Sequence, residues 1–438
     1  MAMGEGPPVE GPKLRRAIGP RHAFALYVSS VLGTGILVLP GLAGQIAGPG
    51  SLIAWGVLAL ASLPFAITFA SLSARSPESG GVYAFTREAL GRGVATSTGW
   101  LFGLWALAGV PAVALIAASY VAYAFPLGRP LTFALGFAIV AVAYLINYRG
   151  IVLSSRVQLG AIVAVVALLA TVVILALPHV RASNFEPFLP NGLLPVGTAA
   201  SLIFWSFLGY ENVSNVAEEF EDPARDFPRA VALSVVVVGA FYFAVAFVTV
   251  GTRAYAAGGS VAPFAAILGH ALGPYAADGT ALLAVGIVFA VVNAYTTGMS
   301  RVAFAVACDG GYPSWLAHLD PKTRAPGRAL LAILGCSGAS FVVFYLVNAT
   351  LTTALLIASG AAILVYVFGS LSGLRIRPPV GQKGHRPWWP PAISLVLSLI
   401  ILPFVGPLAL VAVGVAAMGY LYSFLRGRRG ASVPPGRR

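Results

Sequence analysis

Long runs of apolar residues, separated by short polar connections, occupy the chain from about residue 22 to residue 425. Most of these runs are close to the roughly 20 residues that an α-helix needs to cross the hydrocarbon core of a bilayer. The pattern therefore predicts an all-α integral membrane protein with about twelve transmembrane helices, of which the eleventh is short. The predicted spans are 22–46, 51–74, 94–124, 131–147, 156–178, 194–219, 229–251, 278–300, 327–347, 351–374, 389–403 and 406–425.

Composition and charge support a membrane protein and argue against a nucleic-acid partner. Only 9% of the residues are charged, whereas soluble domains carry about a quarter. The net charge is +13, but with the N-terminus inside, 24 of the 27 lysines and arginines lie on the cytoplasmic side of the spans. This asymmetry follows the positive-inside rule. The charge therefore indicates topology, with both termini in the cytoplasm and the lipid bilayer as the surrounding partner.

The chain is predicted to contain one membrane domain with short cytoplasmic ends. Residues 1–20 form a basic arm that is expected to be disordered, residues 21–425 form the membrane domain, and residues 426–438 form a cytoplasmic tail. Two longer cytoplasmic connections, 75–93 and 301–328, are each predicted to hold a short amphipathic helix.

Two spans contain residues that interrupt a helix at mid-depth. Residues 32–36 of the first span read Leu-Gly-Thr-Gly-Ile, and the sixth span contains Gly209, Glu211 and Asn212. Non-helical backbone at membrane depth is tolerated where it is buried in protein or lines a cavity, and paired interruptions are typical of transporter sites. Small residues also occur where membrane helices pack closely, so a packing role stays open for each interruption alone.

The spacing of the two interruptions predicts an inverted repeat. They lie five spans apart, and because five is odd, the two halves have opposite orientations in the membrane. We therefore expect repeats at about 21–178 and 194–375, with peripheral helices at 389–425.

The interrupted helices predict a site with two opposite polar ends. The backbone N–H groups of Thr34, Gly35 and Ile36 would lie at the positive end of a half-helix, which favours a carboxylate. Free carbonyl groups favour an ammonium group, and the carbonyls of Val31, Trp205 and Leu208 are the candidates. A zwitterionic amino acid matches this pair of ends.

Glu211 is the only acidic residue deep in a predicted span. Carboxylates at that depth are functional candidates by default, so Glu211 is predicted to take part in coupling or gating, with proton coupling and a structural role both open. Cys308 and Cys336 are the only cysteines, and the five histidines lie at span ends or in loops. We therefore expect no metal site, no cofactor and no enzymatic activity.

Several motifs resemble the amino acid–polyamine–organocation superfamily, and in particular its bacterial branch that exports methionine and branched-chain amino acids. They are Leu-Gly-Thr-Gly-Ile at 32–36, Ser-Gly-Gly-Val-Tyr at 79–83, Phe-Leu-Gly-Tyr-Glu at 207–211, the acidic and arginine-containing stretch 219–230, and Asp-Gly-Gly-Tyr-Pro at 309–313. The resemblance implies a LeuT-type fold of five plus five helices with helices 1 and 6 broken, in a bacterial cytoplasmic membrane.

The resemblance also implies roles for individual residues. Trp205 and Tyr295 are expected to line or gate the pocket, and Phe207 and Leu104 are expected beside them. Many proton-coupled members carry a lysine in span five, where this chain has Val165. A proton switch based on that lysine is therefore not expected.

We therefore predict a secondary transporter, a permease or exporter, that moves neutral and mostly apolar amino acids by alternating access. The third span carries no charge that would pair with a charged substrate side chain. Amino-acid exchange, proton-coupled import and a sensor that binds without transport stay open as alternatives.

Overall fold

The computed structural model describes residues 31–73, 81–149, 155–209, 223–256, 258–320, 325–376 and 388–431. Every regular element in these ranges is helical. The predicted arm at 1–20, the start of the first span and Glu211 lie outside the described residues.

The α-helices of the described chain follow one another with short connections. In chain order they are α1 (Gly35–Ala47), α2 (Ser51–Ser73), α3 (Val82–Leu90), α4 (Arg92–Ala124), α5 (Arg129–Tyr148), α6 (Ser155–Ala176), α7 (Leu194–Ile203), α8 (Pro223–Gly251), α9 (Pro263–Leu272), α10 (Pro274–Cys308), α11 (Gly327–Leu346), α12 (Leu351–Arg375), α13 (Trp389–Ile401) and α14 (Ala409–Ala431).

Eight helical stretches in the described ranges are long and apolar enough to cross a membrane. Two of them, Gly35–Leu72 and Trp389–Arg426, each run through two predicted spans, while the shorter Val163–His179 and Leu194–Phe207 lie at the fifth and sixth spans. The all-helical, multi-pass class is thus confirmed. The count of twelve, the domain limits and the inverted repeat stay predictions.

Glycines separate the two spans inside each long stretch. Gly48 between α1 and α2 has a φ of 58°, and Gly406 between α13 and α14 has a φ of 71°. Positive φ values are readily adopted by glycine, which has no Cβ. The helix direction therefore changes at these positions although the sequence around them stays apolar.

The central helix of the structure is α4. It has 33 residues and packs against α5, α10, α12 and α14. Its apolar residues surround the whole helix, as expected for a helix buried among others rather than exposed on one side. This arrangement places α4 beside both α10 and the interrupted spans.

The two connections that are predicted to be cytoplasmic, 75–93 and 301–328, differ from each other. The amphipathic helix predicted within 75–93 is confirmed as α3. The one predicted within 301–328 is wrong in the described residues, where α10 continues to Cys308 and only a 3-10 turn, Ser314–Leu316, follows. The helix is extended because Val306 is buried against Tyr83 and Ala95, and Gly310 with a φ of 76° follows its end.

Candidate functional site

The first span is interrupted at the Gly-Thr-Gly sequence. Val31 is helical, residues 32–34 are not, and α1 begins at Gly35. The N–H of Gly33 turns back to donate to the Val31 carbonyl at 2.6 Å. The first N–H groups of an α-helix have no partner within the helix, and among the described residues we find none for Thr34, Gly35 or Ile36. The predicted carboxylate donors are therefore arranged as a helix start.

The Val31 carbonyl, a predicted ligand for an amino group, has hydrogen bonds in this structure. It accepts from the N–H of Gly33 and also from the hydroxyl of Tyr242 on α8, at 2.7 Å. A carbonyl oxygen has two lone pairs, and both are occupied. An incoming ammonium group would have to replace one of these donors, so the role of Val31 stays a prediction.

The sixth span is interrupted by a change of helix type and then by extended backbone. After α7, residues Phe204–Phe207 form a 3-10 turn. Leu208 is extended, with φ −80° and ψ 152°, and Gly209 has a φ of 125°, a value that favours glycine. The interruption predicted from Gly209 is thus present, while Glu211 beyond it lies outside the described residues.

The two interruptions touch each other. A Cβ atom placed on Gly35 would lie 2.7 Å from Ser206 Oγ and 2.9 Å from Trp205 Cδ1. Real Cβ atoms do not approach other heavy atoms so closely, so only glycine fits here. The glycine at the start of α1 therefore lets the 3-10 turn of the sixth span pack directly on the first span.

A small cavity lies beside this contact. Its volume is about 10 Å³, the space of roughly one water molecule. Its lining is apolar and comes from α4, the sixth span and α10: Trp105, Gly109, Val110, Val113, Trp205, Val292, Tyr295 and Met299. The structure thus brings the two predicted aromatic residues, Trp205 and Tyr295, into one cavity.

Three aromatic rings form one wall of the cavity. The ring centre of Trp105 lies 5.8 Å from that of Trp205 and 6.4 Å from that of Tyr295. A Cβ atom on Gly109 would lie 2.7 Å from Trp205 Cη2 and 2.8 Å from Trp105 Cδ1. Gly109 therefore allows the two tryptophans to meet, and any larger residue would separate them.

The other two residues predicted for the pocket lie outside the cavity lining. Phe207 is buried and packs on Trp55 and Tyr242, with ring centres 6.1 Å and 5.3 Å away. Leu104 is also buried, but its neighbour Trp105 lines the cavity. Their predicted places at the pocket or its gate stay predictions.

Sequence reasoning did not include most of the residues from α4 and α10 that line the cavity. On α4 these residues recur every four positions, at Trp105, Gly109 and Val113, and on α10 the spacing of Val292 and Met299 around Tyr295 is also helical. Such spacing places side chains on one helix face. The helical spacing around Tyr295 therefore indicates Val292 and Met299 as its neighbours on the same helix face.

Polar residues of α10 near the cavity are satisfied within the protein. The hydroxyl of Thr296 donates to the carbonyl of Val292 at 2.8 Å, and the amide of Asn147 on α5 donates to the side chain of Asn293 at 2.8 Å. Val165, at the position of the lysine in proton-coupled relatives, is buried. The polar side chains of Thr296 and Asn293 are thus paired within the protein, and the lining of the cavity is apolar.

A separate polar cluster joins the two connections that are predicted to be cytoplasmic. Asp309 accepts from Arg87 at 2.6 Å through its carboxylate and from Arg92 at 2.6 Å through its carbonyl. The indole N–H of Trp100 donates to the Gly311 carbonyl at 3.0 Å. Burial and the neighbouring Asp309 raise the pKa of Tyr83 to about 12, so this hydroxyl stays protonated at physiological pH.

Comparison with known proteins gives consistent matches along the chain. A family profile described as amino acid permease matches residues 18–421. An uncharacterized amino acid permease of Bacillus subtilis (strain 168) is 32% identical over 416 residues, which cover 95% of this chain and 97% of that protein. The L-methionine/branched-chain amino acid exporter of Escherichia coli (strain K12) is 30% identical over 83% of this chain and 87% of that protein. A branched-chain amino acid permease of Bacillus subtilis (strain 168) is 31% identical over 72% of this chain and 71% of that protein.

Proposed function

Since this chain belongs to the amino acid permease family, whose members are transporters rather than enzymes, we propose that it moves neutral, mostly apolar amino acids across the bacterial cytoplasmic membrane. The polar ends of the amino acid would be bound where the two interrupted spans meet. Its side chain would enter the cavity between α4, α10 and the sixth span.

The single observation that carries this proposal is the position of Trp205. Its ring lies against Gly35 at the start of α1 and also lines the apolar cavity. A molecule with an apolar part in the cavity would therefore place a neighbouring polar part beside the helix start, where N–H groups favour a carboxylate. An α-amino acid has this combination, with its carboxylate two bonds from the side chain.

The size of the cavity supports transport by alternating access. At about 10 Å³ it is too small for an amino-acid side chain, so α1 and the 3-10 turn must separate for a substrate to be accommodated. We propose that the first and sixth spans move against α4 and α10, in a five-plus-five inverted repeat, and that Glu211 is a candidate for coupling or gating this movement.

The names of the relatives support leucine and methionine as first substrates to test. The experiment is flux of radiolabelled leucine into proteoliposomes, with and without unlabelled leucine inside and with and without a pH gradient. We expect flux above that of protein-free liposomes. Stimulation by internal leucine would assign exchange, and dependence on the pH gradient would assign proton coupling. Binding of leucine without any flux would contradict transport and favour a sensor.

A further inference from the structure

The hydroxyl of Ser206 is buried without a hydrogen-bond partner among the described residues. Ser206 lies in the 3-10 turn of the sixth span, and its side chain is 2% exposed. Buried hydroxyl groups nearly always have a partner, because leaving one without a partner costs free energy. The described chain contains a few other such groups, among them Ser337 on α11. Ser206 differs from them in what it faces.

Ser206 faces the start of α1. Of the atoms around a Cβ placed on Gly35, the Oγ of Ser206 is the nearest, at 2.7 Å. The hydroxyl thus lies against the helix turn whose first N–H groups have no partner in the described residues. Hydrogen-bond donors without acceptors in the described chain therefore lie on both sides of this contact. One is the hydroxyl of Ser206, and the others are the first N–H groups of α1.

Another buried serine on the same span does have hydrogen-bond partners. Ser201 on α7 donates to the carbonyls of Thr198 and Phe404, at 2.8 Å and 3.3 Å. Serines in helices usually donate to a carbonyl one turn earlier in this way. The hydroxyl of Ser206 makes no such bond and stays available to an acceptor.

We propose that the hydroxyl of Ser206 is a ligand of the substrate carboxylate. It donates to one carboxylate oxygen, while the N–H groups at the start of α1 donate to the carboxylate from the opposite side. A carboxylate is the one group of an amino acid that accepts several hydrogen bonds at once. This inference rests on the proposed function and adds a binding residue to it.

The same geometry explains how binding would open the contact. Ser206 and Gly35 are in direct contact, with no room for even a Cβ atom between them. A carboxylate that enters this space separates α1 from the 3-10 turn and gives partners to both sets of donors. Because Trp205 is the neighbour of Ser206 and lines the cavity, this separation also changes the cavity wall.

The test compares leucine with leucinamide, which has a neutral amide in place of the carboxylate, in competition with radiolabelled leucine on the purified full-length protein. For Ser206→Ala we expect leucine to bind about tenfold more weakly, the effect typical of a lost bond to a charged group, and leucinamide to change less than about twofold. Ser337→Ala removes a buried hydroxyl without a partner on α11 and should leave both affinities unchanged.

Two results would overturn the inference while the proposed function stands. One is unchanged leucine affinity in Ser206→Ala, and the other is an equal loss for leucine and leucinamide, which would indicate altered packing. If the wild-type protein binds none of the apolar amino acids, the inference and the proposed function both fail. The melting temperature of each variant, measured without ligand, shows that it is folded.

Discussion

Two aromatic clusters on opposite sides of the 3-10 turn differ in how they are packed. Trp205 packs on Trp105 and lines a cavity together with Tyr295. Phe207, two residues later, packs on Trp55 and Tyr242 in a filled core. Both clusters are aromatic, and all of their rings are buried except that of Tyr295, which is partly buried. They therefore cannot be distinguished by composition or burial, but only by the space between the rings.

The difference shows that one side of the turn borders a cavity, whereas the other side is packed against neighbouring helices. The Phe207 cluster includes Tyr242, whose hydroxyl also binds the Val31 carbonyl before the first interruption. It therefore fastens the two interrupted spans to α8 and α2. The Trp205 cluster borders the cavity instead. The aromatic wall of this cavity depends on Gly109, which allows Trp105 and Trp205 to be in contact.

The largest expected effect is that of Gly35→Leu. A side chain here would collide with Ser206 and Trp205, so the two spans would be held apart and the predicted carboxylate donors displaced. We expect no detectable leucine binding by scintillation proximity, with insertion and expression retained. The matched control is Gly335→Leu on α11, where a Cβ has open space and binding should be normal. Normal affinity in Gly35→Leu would contradict the site.

A paired substitution tests the contrast between the clusters. Phe207→Ala should lower the free energy of unfolding by about 3–5 kcal/mol, as for a fully buried phenylalanine. Trp205→Ala should instead weaken leucine binding by at least about tenfold, since an aromatic contact with the ligand is lost, while its melting temperature falls less than that of Phe207→Ala. The reverse ranking in affinity and melting temperature would show that the two clusters have been assigned the wrong roles.

A smaller effect is expected from Tyr242→Phe, which removes one donor to Val31. A typical hydrogen bond contributes about 1 kcal/mol, so the melting temperature should fall slightly. If the Val31 carbonyl binds the amino group, its release should tighten leucine binding by about two- to fivefold. Weaker leucine binding by this variant, measured by titration calorimetry, would argue against that role.

The smallest effect is expected far from the cavity, at the salt bridge between Arg87 and Asp309. Both side chains are partly exposed, at 42% and 37%, and exposed ion pairs contribute about 0–1 kcal/mol. Asp309→Asn should therefore shift the melting temperature only slightly and leave leucine affinity unchanged. A loss of affinity comparable to that of Trp205→Ala would mean that this cluster is coupled to the site.

The parts of the fold that depend on local sequence could be predicted. Apolar length gave the positions of the helices, and the glycines of the Gly-Thr-Gly sequence and Gly209 gave the two interruptions, because glycine acts on the backbone at its own position. The helix predicted within 301–328 was wrong because contacts of Val306 with Tyr83 and Ala95 extend α10.

The directions of side chains in the turn could not be predicted, because they depend on helix type. In a 3-10 helix successive residues are about 120° apart, so Trp205 and Phe207 point to different neighbours. The sequence assigned both to the pocket, but only Trp205 lines it. Val292 and Met299 were missed because apolar residues on a membrane helix fit lipid, core and pocket equally well.

A crystal structure with bound methionine would show where an apolar amino acid binds, because the sulfur of methionine can be located by anomalous scattering. The protein has only 4 methionines and 2 cysteines, so one further sulfur peak is readily identified. We predict that peak in the cavity between Trp105, Trp205 and Tyr295, with the carboxylate at the start of α1. A further peak elsewhere, or none at concentrations that raise the melting temperature, would contradict the account.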